Sequence, residues 1–113
     1  MAHTIAPPSE LQIAQKMVHI FESAKSRGLD FNMSFKEVKR LMNRKTCYFL
    51  GEPMNTIPSS PKQRTFDRLD STKGYVDGNV VACMMSINGA KDNLSISDIE
   101  ALYLGLKKKG LYD

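Results

Sequence analysis

The sequence predicts an α+β protein built as a single compact domain. Three observations carry this: apolar residues recur at helical period in the first third, alternation with period two takes over after residue 63, and helical period returns near the C-terminus. Length agrees, since 113 residues is one domain's worth at roughly 100–200 residues per domain. A hydrophobic content of 42% can fill one modest core, and a charged content of 25% is ordinary for a folded soluble chain. Neither a separate cofactor domain nor wholesale disorder is expected.

Residues 1–8, ending in Pro7-Pro8, read as a flexible leader. They lack the basic and then apolar pattern of a secretory signal. No apolar run in the chain approaches the roughly 20 residues that cross a bilayer, so a soluble, cytoplasmic protein without a membrane partner is expected. A helical part follows over 9–46. Ser9 stands three residues before Gln12, the spacing of a capping box. Ile13, Ala14, Met17, Ile20, Phe21 and Ala24 then share one face up to Gly28, giving a first helix over about 10–27. Leu29 to Met33 alternates and reads as a short extended link. Ser34 with Glu37 repeats the capping spacing and opens a helix over 35–44, apolar at Phe35, Val38, Leu41 and Met42. Its other faces are basic at Lys36, Lys39, Arg40, Arg44 and Lys45.

Glycines and prolines make 47–61 loop-like. Arg64 to Asp70 and Asn79 to Met84 read as two strands of a hairpin, joined by a long connection containing Gly74 and Gly78. A short helix fits 85–92. Ser97 with Glu100 suggests a third capping box and a last helix to about Lys109, within a C-terminal part of 95–113. Its inward face would be Ile99, Leu102, Tyr103 and Leu106. Lys107-Lys108-Lys109 falls where cations complement the helix dipole.

Sixteen Lys and Arg against 12 Asp and Glu give a net charge of +4. The excess suits a polyanion, through release of condensed counterions, although many basic proteins carry the same balance. Cys47 and Cys83 are too few for a disulfide framework and are expected reduced and half-buried.

The informative stretch runs Asp67-Arg68-Leu69-Asp70, Lys73-Gly74-Tyr75, Gly78-Asn79-Val80-Val81, and then Asn88 and Lys91, with Cys47-Tyr48-Phe49-Leu50-Gly51 upstream. This ordered set resembles the HNH endonucleases of the His-Me finger, or ββα-metal, superfamily. Within them it is most similar to the small phage and bacterial branch with a D-R-I-D…KGY…GNV…N…K pattern. The resemblance covers about 47–94 and leaves the N-terminal helices outside it. It implies a ββα-metal core with added helices at both ends. It also implies Mg²⁺ or Mn²⁺ held by Asp67 and Asn88, a loop braced by Asn79, and DNA as the partner. Hard oxygen donors suit Mg²⁺, and one or two suffice because the ion keeps waters and takes phosphate oxygens. A plain alternative for Asp67 is a strand-end carboxylate paired with Arg68 or Lys91; for Asn88, a helix-surface amide. Arg64, Arg68, Lys73 and Lys91 surround the motif and suit phosphate-backbone contacts. No helix carries a base-reading cluster, so strong sequence specificity is not indicated.

Two departures from the family stand out. The general-base histidine position holds Arg68, which stays protonated and cannot take a proton from water; it can clamp a phosphate instead. His3 and His19 both lie upstream of the motif. A replacement base would be Tyr75, with a phenol lowered by Arg68, Lys73 or the metal, or a metal-bound hydroxide alone; Tyr75 can equally just pack the connection. The paired Cys-x-x-Cys zinc staple is also missing. Only Cys47 remains, Leu50, Met84 and Ile87 occupy the other positions, and Cys83 is one residue off. No structural zinc is expected, with those apolar residues packing in its place. The leading expectation is therefore a metal-dependent DNA endonuclease. The competing one is a catalytically inactive HNH-like module that binds nucleic acid or protein, such as a phage accessory or inhibitor factor. A phage origin, with a bacterial host cytoplasm, follows only from the resemblance. A third option, a helical protein-interaction domain, rests on the amphipathic stripes, which suit core packing better.

Overall fold

A computed structural model describes residues 7–91 and 94–110. Residues 1–6 of the expected leader, with His3, lie outside them. The chain is mixed α+β. Its elements are α1 (Glu10–Ser26), β1 (Phe31–Asn32), α2 (Phe35–Met42), β2 (Arg64–Arg68), β3 (Tyr75–Val76), β4 (Val80–Met84), α3 (Met85–Lys91) and α4 (Ile96–Lys108).

The helix starts follow from local chemistry. Ser9 accepts from the Gln12 amide while the Gln12 side chain accepts from Ser9, so two otherwise orphaned donors are satisfied reciprocally. Gly28, at φ +67°, turns the chain out of α1 in the left-handed conformation that costs glycine little. At α2 only half of the expected box forms. Ser34 Oγ accepts from the Glu37 amide, but the Glu37 carboxylate turns to Arg40, and Asp77 accepts from the Ser34 amide instead. The hydrogen bonds from Arg40 hold the Glu37 carboxyl below its usual range.

β2 and β4 form an antiparallel pair in which Arg64 faces Met84 and Arg68 faces Val80. The connection between them is not a free loop. It contains β3, which pairs in parallel with β1, Phe31 beside Tyr75 and Asn32 beside Val76. The expected extended link is thus stitched into the hairpin. Every residue of β4 is buried, so this strand is the centre of the core. Ile13, Ile20, Val38, Leu41, Cys47 and Met54 pack around Val80, Ala82, Cys83 and Met84.

Four expectations need correction. Phe21 is 48% exposed, meeting Phe31 edge-on rather than entering the core. The last helix is capped two residues early, by Ser95 with Asp98 rather than Ser97 with Glu100, and both capping-box bonds form there. None of its residues is buried. Leu102 and Tyr103, expected inside, are 56% and 47% exposed. The helix leans on the Tyr48-Phe49 segment and leaves apolar grooves beside it, one of about 520 Å³ and one of about 280 Å³. The fourth correction concerns the cysteines, which are free but fully buried rather than half-buried. Among the described residues no helix is long and apolar enough to cross a membrane.

Burial pushes the Cys83 thiol from the ordinary 9.0 up to about 11. The folded protein keeps that proton while an unfolded chain releases it, so this group weakens folding as pH rises through that interval. At neutral pH, Cys83 of the native protein is expected to resist iodoacetamide and to react once guanidinium unfolds the chain, as read by peptide mass spectrometry. Native labelling at the unfolded rate would contradict the buried placement.

Candidate functional site

Alternation along β2 divides its side chains between two faces. Thr65 and Asp67 point toward α3; Arg64, Phe66 and Arg68 point toward α1 and β3. The helix α3 begins directly after β4, so it folds back over β2 and brings Asn88 and Lys91, one turn apart, against the first face. Asn88 Nδ2 donates to Thr65 Oγ1 at 3.1 Å and to the Phe66 carbonyl at 3.3 Å, while Thr65 Oγ1 donates to the Cys83 carbonyl at 2.9 Å. These bonds lock α3, β2 and β4 into one unit.

Asp67 is 8% exposed and Lys91 4%. Lys91 Nζ lies 3.0 Å from Asp67 Oδ2 and donates to the Arg68 carbonyl at 3.0 Å. The aligned hydrogen bond goes to the carbonyl; Asp67 Oδ2 is held by charge and has no hydrogen-bond partner. Lys91, expected to meet phosphate, is instead turned inward and is not a surface cation. Asp67 and Asn88 do lie on the same face of β2. As placed, the Lys91 ammonium is the charge partner of the Asp67 carboxylate, and Asn88 holds the strand through its amide nitrogen. Among the described residues no group of three or more His, Cys, Asp or Glu side chains comes together that could hold a metal ion.

Side-chain hydrogen bonds tie the connection after β2 together. Asn79, 7% exposed, accepts from the Asp70 amide at 2.9 Å and donates to the carbonyls of Asp70 and Gly74. This one amide closes the loop 70–74. The Thr72 hydroxyl and amide cap Asp70 and hold its carboxyl below the usual range. Arg68 Nη1 donates to the carbonyls of Ser71 and Lys73 at 2.7 and 2.9 Å, and the guanidinium lies 5.6 Å from the Tyr75 ring. Arg68 is therefore a strut of the connection, on the face of β2 away from Asp67. Lys73 is exposed on the same connection. Tyr75 belongs to β3; its hydroxyl accepts from Arg27 at 3.1 Å, on the α1 side of the sheet. The structure thus does not gather Arg68, Tyr75, Asp67 and Asn88 at one point.

Of the zinc-replacing residues, Met84 is buried and Ile87 half-buried, but Leu50 is 51% exposed and does not fill the position. The sequence names Arg64 and Arg68 on the second face of β2 but not what lies opposite Arg64. There Arg64 meets Lys16 and His19 of α1, residues outside the motif and 45 or more positions away. The only signal was that Lys16 sits one position from Met17 at the edge of the apolar stripe.

No protein-family model matches the chain, and no solved structure matches it. It is similar to an uncharacterised 29.0 kDa protein from the dda–modA intergenic region of Enterobacteria phage T4, with 30% identity over 88 residues. That match covers 78% of this chain and 35% of the phage protein, so the chain spans about a third of its relative's length.

Proposed function

We propose that this chain is an HNH-like ββα module that binds nucleic acid through its phosphates without cutting it. The observation that carries this is the Lys91 ammonium against Asp67, where the family's divalent cation would sit. The missing base agrees: Arg68 cannot accept a proton, its guanidinium is committed to the Ser71 and Lys73 carbonyls, and Tyr75 faces α1. The ββα likeness draws support from the order β2, β4, α3, with α3 packed back on the hairpin. The net charge of +4 favours a polyanion, and a phage origin fits the T4 relative.

A second reading is a Mg²⁺- or Mn²⁺-dependent DNA endonuclease. Two observations favour it: Asp67 and Asn88 share one face of β2, and Asp67 Oδ2 has no hydrogen bond to lose to a metal. Plasmid nicking and oligonucleotide binding separate the two. With Mn²⁺ or Mg²⁺ no nicking is expected. In EDTA a labelled oligonucleotide should bind, with affinity falling steeply as salt rises. Nicking by the wild type that is lost in Asp67→Asn would establish the second reading, and failure to bind in low salt would overturn the first.

A further inference from the structure

We infer that the cleft between α1 and β2 is a phosphate-binding site, framed by Lys16, His19 and Arg64. The inference deepens the nucleic-acid reading above and rests on it only for the source of the phosphate. The cleft, of about 230 Å³, is lined from α1 by Lys16, His19 and Ser23 and from the strands by Arg64, Phe66 and Tyr75. Among the described residues no carboxylate lines it.

Two cations face one another here, with no counterion among the described residues. Arg64 is half-buried, and its Nη1 is fully buried with no acceptor. Buried guanidinium donors are nearly always satisfied, so an orphan of this kind marks a missing anion or water. Lys16 is half-buried from the opposite wall, its ammonium 5.0 Å from the centre of the Phe66 ring. Burial, and then the charge of Arg64, hold the Lys16 amine below the usual lysine range. Unpaired like charges in a shared low-dielectric space are unfavourable, and one oxyanion between them would satisfy both. Charge-assisted bonds from a guanidinium fork and an ammonium are the usual way to hold phosphate. The Tyr75 end of the cleft adds two further cations, Arg27 on its hydroxyl and Arg68 over its ring. A phosphate in the cleft with its chain leaving toward Tyr75 would stay in positive potential. The site lies on the opposite face of β2 from Asp67 and Asn88 and uses α1, which the family resemblance does not reach.

The test uses the full chain, labelled for NMR, titrated separately with inorganic phosphate, thymidine monophosphate and a short single-stranded oligonucleotide. Saturable shifts of the His19 imidazole and the Arg64 side chain are expected. Lys16→Met keeps an aliphatic stem over Phe66 while removing one unpaired charge. It should bind about tenfold more weakly, the effect of one charge-assisted bond, while its Tm stays level or rises. That opposition of binding and stability is one a purely structural lysine would not give. Lys36→Gln, on the exposed face of α2, should leave the shifts intact, and Arg64→Lys should bind better than Arg64→Met. Shifts with phosphate and the monophosphate but not the oligonucleotide would keep the site, with a free phosphate monoester as its ligand, and would remove the nucleic-acid reading. Oligonucleotide binding undiminished in Lys16→Met, without a His19 shift, would overturn the site and leave that reading standing. No shift with any probe overturns it outright.

Discussion

Asp67→Ala is expected to cost about 3–5 kcal/mol of folding stability, the usual penalty for stripping one partner from a buried ion pair. The size follows from Lys91, a residue 4% exposed, whose ammonium would keep just the Arg68 carbonyl as a partner among the described residues. Lys91→Met alone should cost a similar amount, because it leaves Asp67 Oδ2 buried with neither charge nor hydrogen bond. The two changes together should cost much less than their sum, since no uncompensated charge remains; a double-mutant cycle by urea unfolding reads that coupling. Single losses below about 1 kcal/mol, the range of exposed pairs, would show that the pair is open to water. The same proteins bear on metal binding. If Mg²⁺ raises the Tm of Lys91→Met but not of Asp67→Ala, removal of the ammonium has opened a cation site, and Lys91 then acts as its plug.

Gly74→Ala should lose about 3 kcal/mol, at the upper end of overpacking penalties. A Cβ built at Gly74 would lie 2.1 Å from the Asp30 carbonyl oxygen and 2.6 Å from its nitrogen. Both are backbone atoms that cannot swing aside like a side-chain tip. Relief requires β1 to separate from β3, which breaks the 2.8 Å bond from the Tyr75 amide to the Asp30 carbonyl. Hydrogen exchange should therefore show the Tyr75 and Asp77 amides deprotected first, before β4. A Tm equal to that of the wild type would mean that the two segments do not touch in solution.

The parts of this structure legible in the sequence were those written in short-range chemistry. Ser9 with Gln12 marks the start of α1 because the cap is a contact three residues long, and alternation finds β2 and β4. Asn79 lies in the connection that its side chain closes. Non-local features were harder to read. β1 is two residues long, too short to show a period, and its parallel pairing with β3 depends on Gly74 having no side chain. The cap of α4 slipped by two because Ser95-x-x-Asp98 and Ser97-x-x-Glu100 offer the same chemistry in overlapping frames. Its apolar stripe promised a buried face that the fold leaves half-covered. At the site, the motif placed Asp67 and Asn88 on one face, and the plain pairing of Asp67 with Lys91 was one of two alternatives open from sequence. Which partner won depended on α3 folding back over β2. The meeting of Lys16 with Arg64 could not be read at all, since no local pattern links residues 48 positions apart.

The parallel contact between β1 and β3 bears on where this protein can be divided. A boundary at residue 47 would follow the motif, yet it would sever Ile13, Ile20, Val38 and Leu41 from the interior they share with β4. It would also strip the hairpin's connection of its neighbouring strand. The motif-bearing segment is therefore not a detachable cassette: any fusion, transplant or gene-level shuffling of it has to carry α1 and α2 along. The T4 similarity, at 88 residues, is likewise longer than the 47–94 segment alone.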